Sequence, residues 1–324
     1  AARRPRPAAA RGAGVRALMD RPIIRLNPNQ DRRLRAGHPW AFSNEIRMSP
    51  EYRAWERGAP VKLESAEGWR YGTFIFNPHS LIAARLLDRN PEAAIDAGSK
   101  LVSHVVIDGH TTIGGGNVFY PFCSIGLASQ DKKYANEPTR VVIGDSNVFR
   151  ENCTVHRGTV QDKGLTSIGS RGLFMASAHV AHDCVVRDDV ILANAATLGG
   201  HVRVGNWAIL GGLAGVHQFC RVGEHAMVGG ASCVLQDVAP YVLGQGNPFS
   251  LSTVNAEGLK RRGFSPEAIA AVRNAYKTVF RNNLTLKEAI AVLEAEQGTA
   301  SDEIRAALHP LLSFLQTPGR GLAR

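Results

Sequence analysis

From Ile168 onward an apolar side chain falls on every sixth residue: Ile168, Phe174, Val180, Val186, Leu192, Leu198, Val204, Leu210, Val216, Val222, Val228 and Val234. Two residues before each, from Ala178 on, stands a small one: Ala178, Cys184, Val190, Ala196, Val202, Ala208, Ala214, Cys220, Ala226 and Ser232. Neither the two-residue alternation of a half-buried strand nor a helical period of about 3.6 fits this pattern. A period of six predicts a parallel β-helix whose coil is a triangle of three short strands. Residues about eighteen apart then stack, about 4.8 Å from one coil to the next. Gly205, Gly211, Gly223 and Gly229 directly follow apolar positions, where the backbone turns or closely approaches a neighbour. Upstream the phase recurs in Ile107, Ile113, Phe119 and Ile125, then in Ile143, Phe149 and Val155. The breaks at 126–140 and 159–166 are expected to be loops thrown out of the solenoid.

After Pro240 the repeat ends and helix signals begin. Ser265-Pro266-Glu267 places a cap before a proline at the first helical position, and Thr285 with Glu288 forms a capping box. Helices are expected at 256–262, 266–281, 285–295 and 301–315. Residues 21–96 lack the period, hold Trp40, Trp55 and Trp69, and contain short alternating stretches such as PVKLES and YGTFIF, the pattern of a small β domain. The expected organisation is a basic tail at 1–20, the small domain at 21–97, the solenoid at 98–243 and a helical region at 244–324.

Composition changes this picture in three places. The formal charge of +10 is uneven, because Arg3, Arg4, Arg6, Arg11 and Arg16 all precede the first acid, Asp20. This Ala/Arg/Pro-rich opening cannot bury enough apolar surface to order itself and reads as a disordered, solvated tail. No apolar run approaches the ~20 residues of a membrane span, and a secretory apolar core is missing, which makes the cytoplasm the default expectation. The five cysteines form no CxxC pair. Cys123, Cys153, Cys184 and Cys220 sit on the small register of the repeat, so they read as reduced core residues rather than as metal ligands.

Candidate chemistry lies on the solenoid. His182 and Gly200 are one coil apart and Gln218 is one coil further, while His201 and His217 adjoin that column and His179 comes from the preceding corner. Asp183 directly follows His182, as a carboxylate that orients a general base would. A glycine beside such a base lets a backbone N–H approach a developing oxyanion. A single histidine on a solenoid is as readily an ordinary surface residue; the column is what favours a site. His104, His110, His156 and His225 receive no role. Lys260, Arg261 and Arg262 form a basic run at the start of a helix, suited to an acidic partner.

The strings QDKKYANEPTR, CTVHRGTV, AHVAHDC, ILANAATLGGHV, GVHQFCRVGEHAMVGG, DVAPYVLGQGNP and NAEGLKRRGF resemble the acyl-[acyl-carrier-protein]–UDP-N-acetylglucosamine O-acyltransferases of lipid A biosynthesis, over roughly 102–324. The resemblance implies a homotrimer of left-handed β-helices with active sites between subunits. It assigns His182 as general base, Asp183 as its orienter and the Gly200 N–H as oxyanion donor. Asp131, Lys133, His179 and His201 would contact the sugar and diphosphate, and His217 would support binding. Gln218, Asn255, Glu257 and Arg261 would hold the nucleotide end. Lys260, Arg261 and Arg262 would meet the acyl carrier protein, and Gly230 would leave the acyl groove open for a longer 3-hydroxyacyl chain. No metal and no cofactor are implied. A coenzyme A-dependent acetyltransferase is the weaker competitor, because NAEGLKRRGF matches the carrier-protein enzymes.

RLNPNQDRRLRAGHPWAFSNEI and ARLLDRNPEAAID resemble the N-terminal PUA domain of large-subunit ribosomal RNA cytosine methyltransferases. That resemblance implies RNA contact through Arg32, Arg33, Arg35, His38 and Trp40. No glycine-rich cofactor loop follows a strand, so RNA modification is not expected. The solenoid begins about forty residues later than in the acyltransferase family, on the order of two coils. The exposed strand edges then need a cover. The alternative function is an RNA-binding module on an inactive, scaffolding trimer.

Overall fold

The computed structural model describes residues 22–88, 94–96, 98–317 and 319–324, and the Arg-rich segment 1–20 lies outside them. The six-residue period folds as a left-handed parallel β-helix with three walls. The first wall runs from Ala94–Ile95 to Arg221–Val222. The second runs from Lys100–Leu101 to Val242–Gln245, with Ser250–Val254 folded back antiparallel, and the third from Val106–Ile107 to Cys233–Val234. Where the repeat is uninterrupted, wall neighbours are eighteen residues apart: His179 faces Thr197 and Ile191 faces Ile209. Across the breaks the spacing grows, since Val118 faces Val148 and Val148 faces Leu173. The surplus residues form the loops 128–139 and 157–164. Both leave from the corner between the third and first walls.

Every residue of the apolar column is buried. In the second wall Phe119, Phe149 and Phe174 stack with centroids 4.8 and 4.5 Å apart and nearly parallel planes, a contact worth about 0.5–1.5 kcal/mol per pair beyond burial. Polar groups that enter the interior are satisfied: buried Asn147 donates from N and Nδ2 to Asn117 Oδ1, and its own Oδ1 accepts from Gly172 N at 2.7 Å. Within the uninterrupted repeat the corners are turned by non-glycine residues. Asp183, Asp189, His201, Trp207, Phe219 and His225 all have φ between 58° and 66°, a conformation costing roughly 1–2 kcal/mol that the stacked coils must offset. The glycines after the apolar positions do the other job. A Cβ on Gly205 would lie 2.6 Å from Glu224 N, and one on Gly211 2.5 Å from Gly230 N, so they are there because the next coil passes too close for a side chain.

The N-terminal unit is a five-stranded sheet in the order Ile23–Arg25, Ala59–Glu64, Arg70–Phe76, Ile82–Asp88 and Trp40–Phe42. Two single-turn helices, Arg32–Arg35 and Pro50–Arg53, accompany the strands. Ile24, Leu26, Val61, Leu63, Phe74 and Phe76 form its core. This unit meets the open end of the solenoid: Ile82–Asp88 lies against Val106–Ile107, and Ile75 packs on the solenoid core. Ile95 and Ile107 of the first coil are accordingly only 6% and 1% exposed, where an uncovered end would leave them in water.

C-terminal helices occupy Ala256–Arg261, Pro266–Phe280, Leu286–Thr299 and Asp302–Gln316. Ser265 caps Ala268 N, and the Thr285–Glu288 capping box is closed in both directions. The third helix runs past the expected end at 295. Lys260 and Arg261 lie in the last turn of the first, not at its start, where cations complement the helix dipole. Among the described residues no helix is long and apolar enough to cross a membrane.

Candidate active site

The corner that throws out both loops also carries His182, Gly200 and Gln218 on successive coils. His182 stacks under Gly200: the His201 N–H donates to His182 O at 3.0 Å, and a Cβ built on Gly200 would lie 2.5 and 2.6 Å from His182 Cε1 and Nε2. The absence of a side chain at Gly200 is therefore what gives the imidazole its place.

Asp183 turns the corner in the left-handed conformation, which swings its carboxylate inward until it is 4% exposed. There Oδ2 accepts from His182 Nδ1 at 3.0 Å and from Thr159 Oγ1 at 2.6 Å, and the Thr159 N–H donates to both carboxylate oxygens at 3.0 Å. The Asp183 N–H donates to Thr166 Oγ1. Burial by itself would raise the Asp183 pKa, but the bonds from His182 and Thr159 outweigh it and hold the group below the usual carboxylate range. An ionised Asp183 accepts a hydrogen bond from His182 Nδ1–H, which keeps the proton on Nδ1 and leaves Nε2 as an acceptor, the tautomer a general base requires.

Gly200 offers a donor beside that nitrogen. At the corner between the first and second walls the equivalent amides are capped from the next coil: Ser170 N donates to Asp188 Oδ1 and Asp188 N to Asn206 Oδ1. At the histidine corner the ladder is missing, and the Gly200 N–H donates to no acceptor among the described residues.

His201 packs edge-on to His182 at 5.1 Å and lies flat on Phe219 at 4.3 Å, and its Nδ1 is 3.1 Å from Asp162 Oδ2. His179 Nδ1 is 2.7 Å from Thr154 Oγ1, with His156 edge-on at 5.1 Å. Of the two histidines expected to adjoin the His182 column, His201 does so and His217 does not: it bonds to the Gln218 carbonyl and makes no ring contact with His182 or His201 among the described residues. His156, to which the sequence assigned no role, is buried beside His179, and burial first, then the charges of His179 and His182, push its pKa down to about 4. Burial, then His182, lowers His179 as well. Thr159, Asp162 and Thr166 also went unassigned. All lie in or next to the 157–164 loop, where the repeat gives no register, so its break was the only available signal.

The remaining candidates stand elsewhere on the chain. Asp131 and Lys133 sit on the 128–139 loop, where Asp131 Oδ1 accepts from Lys133 N. Asn255 is buried: its amide donates to His225 O and caps Gly258 N. Glu257 and Arg261 pair across one exposed helical turn. Asn255, Glu257 and Lys260 line an open depression of about 460 Å³ with Leu243, Ile269 and Arg273. Arg262 meets His225 Nδ1 at 3.1 Å and lies over Trp207. No bond or ring contact links this group to the histidine corner among the described residues of one chain. A Cβ on Gly230 would meet only Gly212 backbone. The buried thiols of Cys184 and Cys220 are pushed up by desolvation to about 12 and about 11, poor material for a nucleophile.

In the N-terminal unit Arg33 bonds His38, lies over Phe42 and approaches Glu45, while Arg35 pairs with Asp31. Trp40 stands edge-on to His38 and is 41% exposed.

The protein is 49% identical over 219 residues to the acyl-[acyl-carrier-protein]–UDP-N-acetylglucosamine O-acyltransferase of Verminephrobacter eiseniae, a match covering 68% of this chain and 83% of that one. The chain belongs to this O-acyltransferase family. Residues 237–323 match the model for the second domain of UDP-N-acetylglucosamine O-acyltransferases, and 24–89 match a PUA-like domain. Among solved structures, LpxA from Acinetobacter baumannii is 43% identical with a TM-score of 0.69, covering 72% of this chain and 90% of that one. The UDP-N-acetylglucosamine acyltransferase of Francisella novicida is 33% identical with a TM-score of 0.66, over 72% and 92%. The O-acyltransferase matches therefore cover the solenoid and helices, and the PUA-like match lies outside them in sequence.

Proposed function

We propose that this O-acyltransferase moves a 3-hydroxyacyl chain from acyl carrier protein to the 3-hydroxyl of UDP-N-acetylglucosamine, the first step of lipid A biosynthesis, in the cytoplasm. The observation that carries the mechanism is the His182 imidazole, oriented by Asp183, beneath the uncapped amide of Gly200. The sugar hydroxyl gives its proton to His182 Nε2 as its oxygen attacks the thioester carbonyl. The Gly200 N–H faces the oxyanion of the tetrahedral intermediate. Collapse breaks the C–S bond, and the leaving thiolate takes the proton back from Nε2. Charge and protons balance on these side chains, with no metal, cofactor or covalent enzyme intermediate.

Asp131, Lys133, His179 and His201 are the proposed sugar and diphosphate contacts, with His217 in support. Gln218, Asn255, Glu257 and Arg261 are those for the nucleotide end, and Lys260, Arg261 and Arg262 face the carrier protein. Since one chain leaves the nucleotide and histidine groups unconnected, a homotrimer that closes the cleft is part of the proposal. Exposed Phe122, Trp207, Leu213 and Phe219, 40–70% accessible, are the apolar surface such contacts would cover. Mass spectrometry of the product formed from UDP-N-acetylglucosamine with acyl donors of graded length tests the reading. A longer 3-hydroxyacyl product is expected, since Gly230 leaves the groove open. Preference for the shortest donor would refute that assignment, and absence of any sugar ester would refute the function.

A second reading, RNA contact by the PUA-like unit, is favoured by the exposure of Trp40 beside His38. It predicts salt-sensitive RNA binding that Trp40→Ala weakens. Affinity unchanged by that substitution would remove it.

A further inference from the structure

We propose that the histidine corner binds one zinc-like transition-metal dication through His182 Nδ1, Asp183 Oδ2 and His201 Nε2, and that its binding switches off acyl transfer. The regulatory half rests on the active-site reading above; the binding half does not.

The corner holds a mismatch of hydrogen-bonding groups. Asp162 Oδ2 stands 3.1 Å from His201 Nδ1, and a carboxylate can only accept, so the neutral imidazole carries its proton on Nδ1 and presents a lone pair at Nε2. That nitrogen stands 3.9 Å from Asp183 Oδ2. Two acceptors thus face one another across a gap too long for a hydrogen bond, in a place where the side chains of His182, Asp183 and His201 are only 13%, 1% and 14% exposed. A cation between them resolves the mismatch. His182 Nδ1 flanks the same oxygen at 3.0 Å, and one ligand atom from each residue lies within 4.8 Å of the others.

Geometry and chemistry agree on the kind of ion. Tetrahedral zinc with bonds of about 2.0–2.2 Å sets its ligands about 3.3–3.6 Å apart; the 3.0 and 3.9 Å separations bracket that range, and the third, within 4.8 Å, closes on binding. Two imidazoles and one carboxylate suit zinc, cobalt or nickel; magnesium and calcium want oxygen. The supports are in place too. Asp162 on His201 Nδ1 makes the carboxylate–histidine pairing that steadies metal-binding imidazoles, and the Thr159 N–H and hydroxyl hold the Asp183 carboxylate in place. The fourth position is left to water.

The consequence for catalysis follows from proton bookkeeping. To bind through Nδ1, neutral His182 moves its one proton to Nε2. No proton is released, and the nitrogen that must accept the sugar proton no longer has a lone pair.

The test uses the full chain after chelator treatment, titrated with Zn²⁺ by calorimetry and with Co²⁺ by visible spectroscopy. One ion per chain and a tetrahedral cobalt spectrum are expected. Asp162→Asn, at a side chain one-third exposed and so safe for folding, should weaken binding by about 10–100-fold, and His201→Gln should abolish it. Transfer activity should fall in step with occupancy and return with chelator. Binding unaffected by His201→Gln, or an octahedral cobalt spectrum, would overturn the site. Full occupancy with undiminished turnover would overturn the switch. A chain that binds zinc at these residues but never transfers acyl groups supports the site while removing the enzymatic reading.

Discussion

Replacing Gly200 with alanine probes the stack on which the site is built. The new methyl group would lie 2.5 Å from His182 Cε1 and 2.6 Å from Nε2, against an ordinary carbon contact of about 3.5–4.0 Å. The ring, and not the coil, must yield, because the His201 N–H and the Phe219 N–H tie Gly200 into the neighbouring coils. Relief of the overlap therefore displaces the imidazole by about 1 Å, and a misplacement of that size costs on the order of 100-fold in rate, about 2.7 kcal/mol. Overpacking also lowers stability by about 1–3 kcal/mol. Steady-state transfer to UDP-N-acetylglucosamine, with thermal unfolding measured alongside, separates the two effects. Gly298→Ala is the control: it lies in the helix Leu286–Thr299 with nothing within 4 Å of its Cβ, and should retain full activity. A Gly200→Ala enzyme with unchanged kcat/KM would show that His182 does not work from beneath this residue.

His156 is held neutral with a pKa of about 4, below its unfolded value near 6.5, so the unfolded chain binds the extra proton first. Its contribution is present above pH 6.5 and is lost as pH falls through 4, by about 3 kcal/mol; urea denaturation of His156→Leu across that window should show a flatter acid side, and an unchanged slope would contradict the burial argument. Ile75→Asp places a charge where the PUA-like unit meets the solenoid end. It should expose Ile95 and Ile107, lower the midpoint of thermal unfolding and speed proteolysis near residue 95, whereas unchanged unfolding and digestion would mean that this contact contributes nothing.

How much of this was legible depended on whether a residue's neighbours are fixed by spacing. Within the uninterrupted repeat they are: the stacking of His182 under Gly200 follows from eighteen residues per coil, and so does the burial of Val180, Val186 and Leu192. At the loops they are not. Thr154 pairs with His179, twenty-five positions on, so His156 falls beside the histidine column although its number is out of phase with it. Thr159 and Asp162 sit in the loop itself, and only coordinates show that it folds back to hold Asp183 and His201. The corner glycines were ambiguous between turning and close approach, because sequence shows small size but not φ. The left-handed winding followed from family likeness alone, since periodicity is blind to hand. In the PUA-like unit the alternating stretches marked the strands, but the internal partners of Arg33 and Arg35 could not be seen in a basic run.

The central claim is that the His182 imidazole takes the proton of the sugar hydroxyl. It is tested most directly by the turnover of His182→Ala with 3-hydroxyacyl carrier protein and UDP-N-acetylglucosamine, checked against its unfolding temperature. The expected kcat is lower by about 10²–10⁴-fold in a protein as stable as the parent. A stable variant that retains more than about a tenth of the parent kcat would contradict it.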